Sequence, residues 1–196
     1  MKTHIVGKNF DLGESLRAHI EEALKRVLSK SFDHAITYHV TVEKNHDLIH
    51  TAIEIHVGQG IVVFADENNE DSYTSVDRAI HKIENNLRRY KERLKAHHTN
   101  HDLSKEEKGM QYILHSSYRN LEGSDETHED HKQPSVIAET TAYVPTISVS
   151  EAVMRLDLSG NHALLFRNKS HGELNMVYLR KDGNIGWIDP KGNKGH

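Results

Sequence analysis

The spacing of apolar residues in the first half of the chain switches between two periods. Apolar and polar positions alternate in residues 36–43, 49–57 and 61–65, and residues 2–6 suit a further short strand. Residues 16–30 and 71–97 instead carry apolar side chains three and four positions apart, which is typical of amphipathic helices. The order β-α-β-β-β-α predicts an α+β sandwich, a four-stranded sheet with both helices on one face.

A second pattern of elements begins near Val144. Ser148 and Glu151 form a capping box for a short helix that ends at Gly160. Residues 162–168, 174–181 and 185–189 are predicted strands. Apolar side chains point to both faces of this small sheet, and one short helix covers only one face. We therefore expect this α+β module to form a homodimer through the other.

Residues 98–142 differ in kind from both flanking regions. They are polar, acidic and rich in histidine, and the stretch 122–131 is almost wholly acid, histidine, serine and threonine. This composition predicts a flexible linker between a domain at 1–97 and a domain at 143–196. Its one apolar island, Tyr112-Ile113-Leu114, is a candidate docking segment.

Composition restricts the classes of function. Of the 196 residues, 36% are hydrophobic and 28% are charged, as in soluble proteins. The absence of cysteine excludes disulfides, thiolate nucleophiles and cysteine-bound metals. The first residues lack a signal-peptide core, and no apolar run reaches membrane-spanning length. We expect a cytoplasmic protein with no membrane partner.

Catalytic motifs are missing from the sequence. It contains no nucleophile elbow, no paired metalloprotease histidines and no phosphate-binding glycine loop. We therefore predict that the protein is not an enzyme and uses no cofactor and no small-molecule substrate. Histidine clusters at 97–101 and 128–131 have the right ligand types for a divalent cation, but mobile polar sequence would not orient them. No metal site is expected.

The formal net charge of −4 argues against nucleic-acid binding until its distribution is considered. Residues 98–142 hold 4 basic and 9 acidic side chains, whereas residues 88–95 hold 5 basic side chains and 1 acidic. On the helix predicted over 71–97, Arg78, Lys82, Arg89 and Arg93 fall within an arc of about 60° at about 100° per residue. A positive field on a rigid rod suits a polyphosphate backbone.

Composition alone leaves two interpretations of this helix equally open. A solvated face whose cations offset the helix dipole explains the charges as well as an RNA-binding face does. RNA binding accounts for more features of the chain, because lysine and arginine attract phosphates regardless of sequence. Tyr90 lies within the basic run, but its place on the apolar stripe favours packing in the core over stacking on a base.

Two stretches of the chain resemble a known family. Residues 71–93 resemble the second helix of ribosome hibernation-promoting factors, through the segments DSYTSVD (71–77), KIE (82–84) and LRRYKER (87–93). Residues 162–190 are similar to the C-terminal domain of the long form of that family, through HALLFRN (162–168) and GELNMVYLRKDGNIGWIDP (172–190). The resemblance covers 1–97 and 143–190 and skips the linker.

The resemblance implies both a fold and a function. The N-terminal domain would bind rRNA in the messenger and transfer RNA channel of the small ribosomal subunit and block translation by exclusion. The C-terminal domain would form a homodimer that joins two ribosomes during starvation or stationary phase. By position, six basic residues are implied as RNA contacts: Arg26, Lys82, Arg88, Arg89, Lys91 and Arg93. Four residues are predicted for the dimer interface: Phe166, Val177, Tyr178 and Ile188.

Two other functions stay open. The N-terminal topology also resembles double-stranded-RNA-binding domains, so the alternative is a dimeric RNA-binding regulator of free structured transcripts. A preference for isolated hairpins over small subunits would favour that alternative. The histidines leave a metal-buffering interaction protein as a third reading, which requires a saturable, stoichiometric zinc site.

Overall fold

The computed structural model describes residues 2–29, 36–57, 60–96, 106–115 and 135–190. The elements of the N-terminal part are β1 (Lys2–Lys8), α1 (Glu14–Ser29), β2 (Ile36–Asn45), β3 (Leu48–Val57), β4 (Ile61–Asn69) and α2 (Ser72–Ala96). Those of the C-terminal part are β5 (Glu106–Leu114), β6 (Val136–Ile147), α3 (Val149–Ser159), β7 (Ala163–Asn168), β8 (Leu174–Leu179) and β9 (Ile185–Ile188).

The N-terminal part is a four-stranded sheet that carries α1 and α2. Its strand order is β1-β2-β3-β4, with β1 parallel to β2 and the other neighbours antiparallel. Alternate residues of β3 point under the helices, so that Ile53 and Ile55 are fully buried with Ile83 and Leu87 of α2. The period-two pattern of the strand and the helical stripe therefore meet in one core, and the predicted sandwich is confirmed.

The C-terminal part is a five-stranded sheet with one helix. The strands follow the order β5-β6-β7-β8-β9, and only β6 and β7 are parallel. The predicted caps of α3 are confirmed: the Ser148 hydroxyl accepts a hydrogen bond from the Glu151 N–H at 3.2 Å, and Gly160 ends the helix with φ of 65°. The core under α3 contains Ile147, Ala152, Leu156, Phe166 and Val177.

The structure corrects the extent of the predicted linker at 98–142. Residues 106–114 form β5, and residues 136–142 belong to β6. The island Tyr112-Ile113-Leu114 lies in β5 with its side chains exposed. Apolar and polar side chains do not alternate in β5 or in the part of β6 that pairs with it. The pattern of apolar positions therefore did not predict these two strands. Residues 58–59, 97–105 and 116–134 lie outside the described residues.

The helix α3 is buried on two sides. One side packs on β7 and β8, and the other packs on β4 and α2 of the N-terminal part. Met154 and Leu158 belong to the N-terminal core, whereas Ala152 and Leu156 belong to the C-terminal core. The two parts of the chain, expected to be joined only by a tether, therefore share this helix.

Candidate nucleic-acid interface

The candidate helix α2 is fixed to the sheet at its N-terminal end. The Asp71 carboxylate accepts a hydrogen bond from the Thr74 N–H at 2.7 Å, and this bond lowers the pKa of Asp71. The buried Ser75 hydroxyl lies 2.8 Å from the Thr51 hydroxyl and 3.1 Å from the Ile49 carbonyl oxygen. These contacts set the direction in which the rest of the helix extends.

The helices α1 and α2 run in the same direction. Ser15 and Tyr73 are joined by a hydrogen bond at 3.2 Å, and one turn later His19 and Asp77 are joined at 2.7 Å. Both pairs have the same sequence separation of 58 residues, so the two helices advance together. Arg26, in the last turn of α1, therefore lies toward the basic C-terminal end of α2.

Basic side chains at that end occupy two flanks of α2. Arg88 and Lys91 follow Asp77 at helical spacing on the flank toward α1. Arg89 and Arg93 lie on the opposite flank, toward β4. Arg88 is widely exposed, with its guanidinium 3.4 Å from the Glu92 carboxylate. A contact of this length between exposed groups offsets little of the arginine's charge.

The arginines on the β4 flank also have side-chain partners. Arg89 donates a hydrogen bond to the side-chain oxygen of Asn86 at 2.6 Å. Arg93 lies 3.7 Å from the carboxylate of Asp157, a residue of α3. Both arginines line a narrow cleft that α3 closes from the other side.

Lys82 is placed differently from the other candidates. Its ammonium group lies 2.8 Å from the Glu67 carboxylate and donates to the Asp66 carbonyl oxygen at 2.8 Å. The hydrogen bond from Lys82 lowers the pKa of Glu67. Lys82 therefore lies along the edge of β4 with a partner of opposite charge, one turn or more before the exposed arginines.

Tyr90 lies inside the protein. Only 4% of its surface is exposed, and burial raises the pKa of its phenol. Its hydroxyl has no hydrogen-bond partner of acceptable geometry among the described residues. Core packing, which the apolar stripe favoured, is what the structure shows.

The four residues predicted for the dimer interface lie on different faces of the C-terminal sheet. Tyr178 and Ile188 lie on the open face, because Tyr178 is opposite Gly186 and Ile188 is opposite Met176 in the ladder. Phe166 and Val177 lie on the other face and are fully buried under α3. Because their side chains pack in the module's own core, Phe166 and Val177 are not available to a dimer interface, and the prediction is corrected for these two residues.

Other residues of the open face were missed by the sequence prediction. Leu165 and Leu174 are exposed there beside Met176. Asp157 was also missed, because a contact between domains leaves no periodic signal in either segment. The alternation in β7 could have identified Leu165, had the face covered by α3 been known.

The described residues contain no group of three or more histidine, cysteine or acidic side chains placed to hold a metal ion. Over the same residues, no helix has the length and apolar character needed to cross a membrane. What the described surface offers is a cluster of guanidinium and ammonium groups on rigid helices, which is suited to an anionic backbone.

Comparison with known families gives two matches. Residues 3–95 match the model described as sigma 54 modulation protein / S30EA ribosomal protein, and residues 131–186 match the model of its C terminus. The candidate basic residues of α2 lie in the first match, and α3, β7 and β8 lie in the second.

Individual relatives match over nearly their full length. A ribosome hibernation promotion factor of Bradyrhizobium diazoefficiens is 40% identical, with 99% of this chain and 97% of the relative covered. One of Bacillus subtilis is 24% identical over 97% of this chain and 99% of the relative. The crystal structure of the Thermus thermophilus Protein Y N-terminal domain is 23% identical, with a TM-score of 0.42, over 46% of this chain and 99% of that chain.

Proposed function

The chain belongs to the sigma 54 modulation protein / S30EA ribosomal protein family, and we propose that it is a cytoplasmic ribosome hibernation factor. It binds rRNA in the messenger and transfer RNA channel of the small subunit through the C-terminal half of α2 and the end of α1. Occupying the channel stops translation without making or breaking a bond, so no catalytic group is required.

One observation carries this proposal. The parallel α1 and α2 bring Arg26 to the same end as Arg88, Arg89 and Lys91. A rigid positive end of this kind gains affinity by releasing counterions from phosphates, and it does not need to read bases. Arg93 adds to the same end when Asp157 does not occupy it.

The proposed function includes a homodimer. The open face of the C-terminal sheet carries apolar side chains from three strands: Leu165, Leu174 and Ile188 are exposed, and Met176 and Tyr178 are partly buried. Apolar groups gathered on one face of a small sheet lose contact with water when a second copy covers them. A dimer formed in this way presents two RNA-binding domains and ties two ribosomes together.

The test is co-sedimentation with small ribosomal subunits. The double variant R88E/R89E reverses two exposed charges on α2 and should lose binding while keeping its fold. The matched control K169E/K181E makes the same change in net charge at two exposed lysines of the C-terminal part and should bind as the wild type does. Circular dichroism confirms that both variants are folded.

Two results would refute the proposal. Undiminished co-sedimentation of R88E/R89E would show that α2 is not the contact. Stronger binding to isolated RNA hairpins than to small subunits, measured by competition in the same buffer, would favour the regulator of free transcripts.

A further inference from the structure

The surface of the N-terminal domain beside α2 already has a partner in this structure. Met154 and Leu158 of α3 insert into the N-terminal core, and each is more than nine-tenths buried. Gly160, at the end of the helix, lies against the Phe64 ring of β4. The sequence of α3 thus provides one stripe for its own sheet and a second stripe for the neighbouring domain.

A buried ion pair belongs to the same contact. The Arg155 guanidinium and the Glu151 carboxylate are 2.8 Å apart, with 3% and 10% of their side chains exposed. Both charges act on the phenol of Tyr90 on α2: the Arg155 charge lowers its pKa and the Glu151 charge raises it. Burying a charged pair costs desolvation, and this cost opposes docking.

The docked helix lies over part of the proposed RNA-binding surface. A cleft between α2 and α3 is lined by Arg89 and Arg93 on one side and by Asp157 and Leu158 on the other. The Asp157 carboxylate sits 3.7 Å from the Arg93 guanidinium, in the position where a phosphate would bind. A phosphate approaching Arg93 meets this negative charge and the body of the C-terminal module.

We infer that α3 and RNA compete for the β4 flank of α2, so that the docked C-terminal module holds the protein in a closed state with weakened affinity for the small subunit. The inference rests on the proposed function for its RNA partner. Release of α3 frees Arg93 and opens the cleft beside Arg89, while Arg88 on the other flank is exposed in either state.

A disulfide can lock the closed state. A Cβ placed on Gly160 lies 3.5 Å from the Cβ of Phe64, within the range of about 3.5–4.5 Å that disulfides span. The wild-type chain contains no cysteine, so the two introduced residues are the only cysteines of the variant F64C/G160C. Its reduced form is the control for its oxidised form, since any strain at position 160 is present in both.

We expect an intramolecular cross-link on oxidation, visible as a monomer of altered mobility on a non-reducing gel. The oxidised protein should bind small subunits at least about tenfold more weakly than the reduced protein. Equal affinity of the two forms refutes the competition alone. Failure of the cross-link to form, or formation only between chains, refutes docking within the chain. Absence of binding by both forms and by the wild type refutes the proposed function as well.

A second pair of variants probes the charge without touching the core. D157N removes the carboxylate beside Arg93 and should raise affinity about two- to fivefold at low salt, an effect that disappears at high salt. D182N removes an exposed carboxylate that pairs with Arg180 at 3.0 Å, and should leave affinity unchanged. An equal effect of D157N and D182N would contradict the inference.

Discussion

The face that forms the proposed dimer can be tested with two isoleucines of the same strand. Ile188 and Ile185 are both in β9, with 45% and 39% of their surface exposed. Ile188 pairs across the ladder with Met176 of the open face, whereas Ile185 pairs with Leu179 on the opposite face. The substitutions I188A and I185A therefore remove the same atoms from similar environments on opposite sides of one sheet.

The expected size of the effect follows from exposure. Burying a whole isoleucine side chain contributes about 1.5–3 kcal/mol. Nearly half of Ile188 is still exposed in the single chain, so covering it in a dimer contributes about 1 kcal/mol per subunit. A symmetric dimer contains the contact twice. I188A should weaken dimerisation by about 2 kcal/mol, which is about 30-fold in Kd.

Sedimentation equilibrium over a range of protein concentrations measures that Kd. I185A should dimerise as the wild type does, and I188A should shift toward monomer. In sucrose gradients, I188A should form fewer ribosome pairs while each ribosome still carries the protein. Equal shifts for the two variants, or a wild type that stays monomeric at all concentrations, would refute the reasoning about the open face.

Three further predictions concern the core, the salt dependence and the pH dependence. Replacing the fully buried Phe166 by alanine should destabilise the C-terminal module by about 3–5 kcal/mol, measured by denaturant unfolding with the fluorescence of the chain's single tryptophan; a loss of dimerisation with unchanged stability would contradict its place in the core. R88Q/R89Q should make the slope of log affinity against log salt shallower by about 1.5, as two lost phosphate contacts require, and an unchanged slope would exclude these contacts. The hydrogen bond between His56 and Glu54 raises the pKa of His56 above 6.5 and lowers the pKa of Glu54 below 4.5. The stabilisation from this hydrogen bond is therefore complete between about pH 4.5 and 6.5 and is lost as the pH rises through the raised pKa of His56. Because both groups are half-exposed, H56Q should be less stable than the wild type by less than about 1 kcal/mol in that range.

Elements that rest on local patterns could be predicted from the sequence. The helix predicted over 71–97 is found at Ser72–Ala96, and the apolar stripe that predicted it is a local signal. The strand predicted over 61–65 extends as β4 to Asn69, where polar residues continue the backbone ladder opposite Ile49. Hydrogen bonding between main chains does not depend on apolar side chains, so periodicity underestimates such strand ends.

Features that rest on the arrangement of elements were not accessible in the same way. Both faces of β7 and β8 carry apolar residues, so their alternation could not distinguish Phe166 of the covered face from Leu165 of the open face. That distinction depends on where α3 docks. The second stripe of α3, with Met154 and Leu158, likewise suits either an exposed helix face or a domain contact until its partner is known.

Docking and dimerisation use opposite sides of the C-terminal module, and this geometry affects the proposed pairing of ribosomes. The open face with Tyr178 and Ile188 stays exposed while α3 contacts α2, so two closed chains can form a dimer without releasing Arg93. Pairing two ribosomes at full affinity then requires both chains to open. If closure weakens binding to one ribosome about tenfold, it weakens the joining of two ribosomes about a hundredfold, because the fold-changes in affinity of two independent binding events multiply. A modest intramolecular contact would in this way suppress ribosome pairs much more strongly than it suppresses binding to single ribosomes.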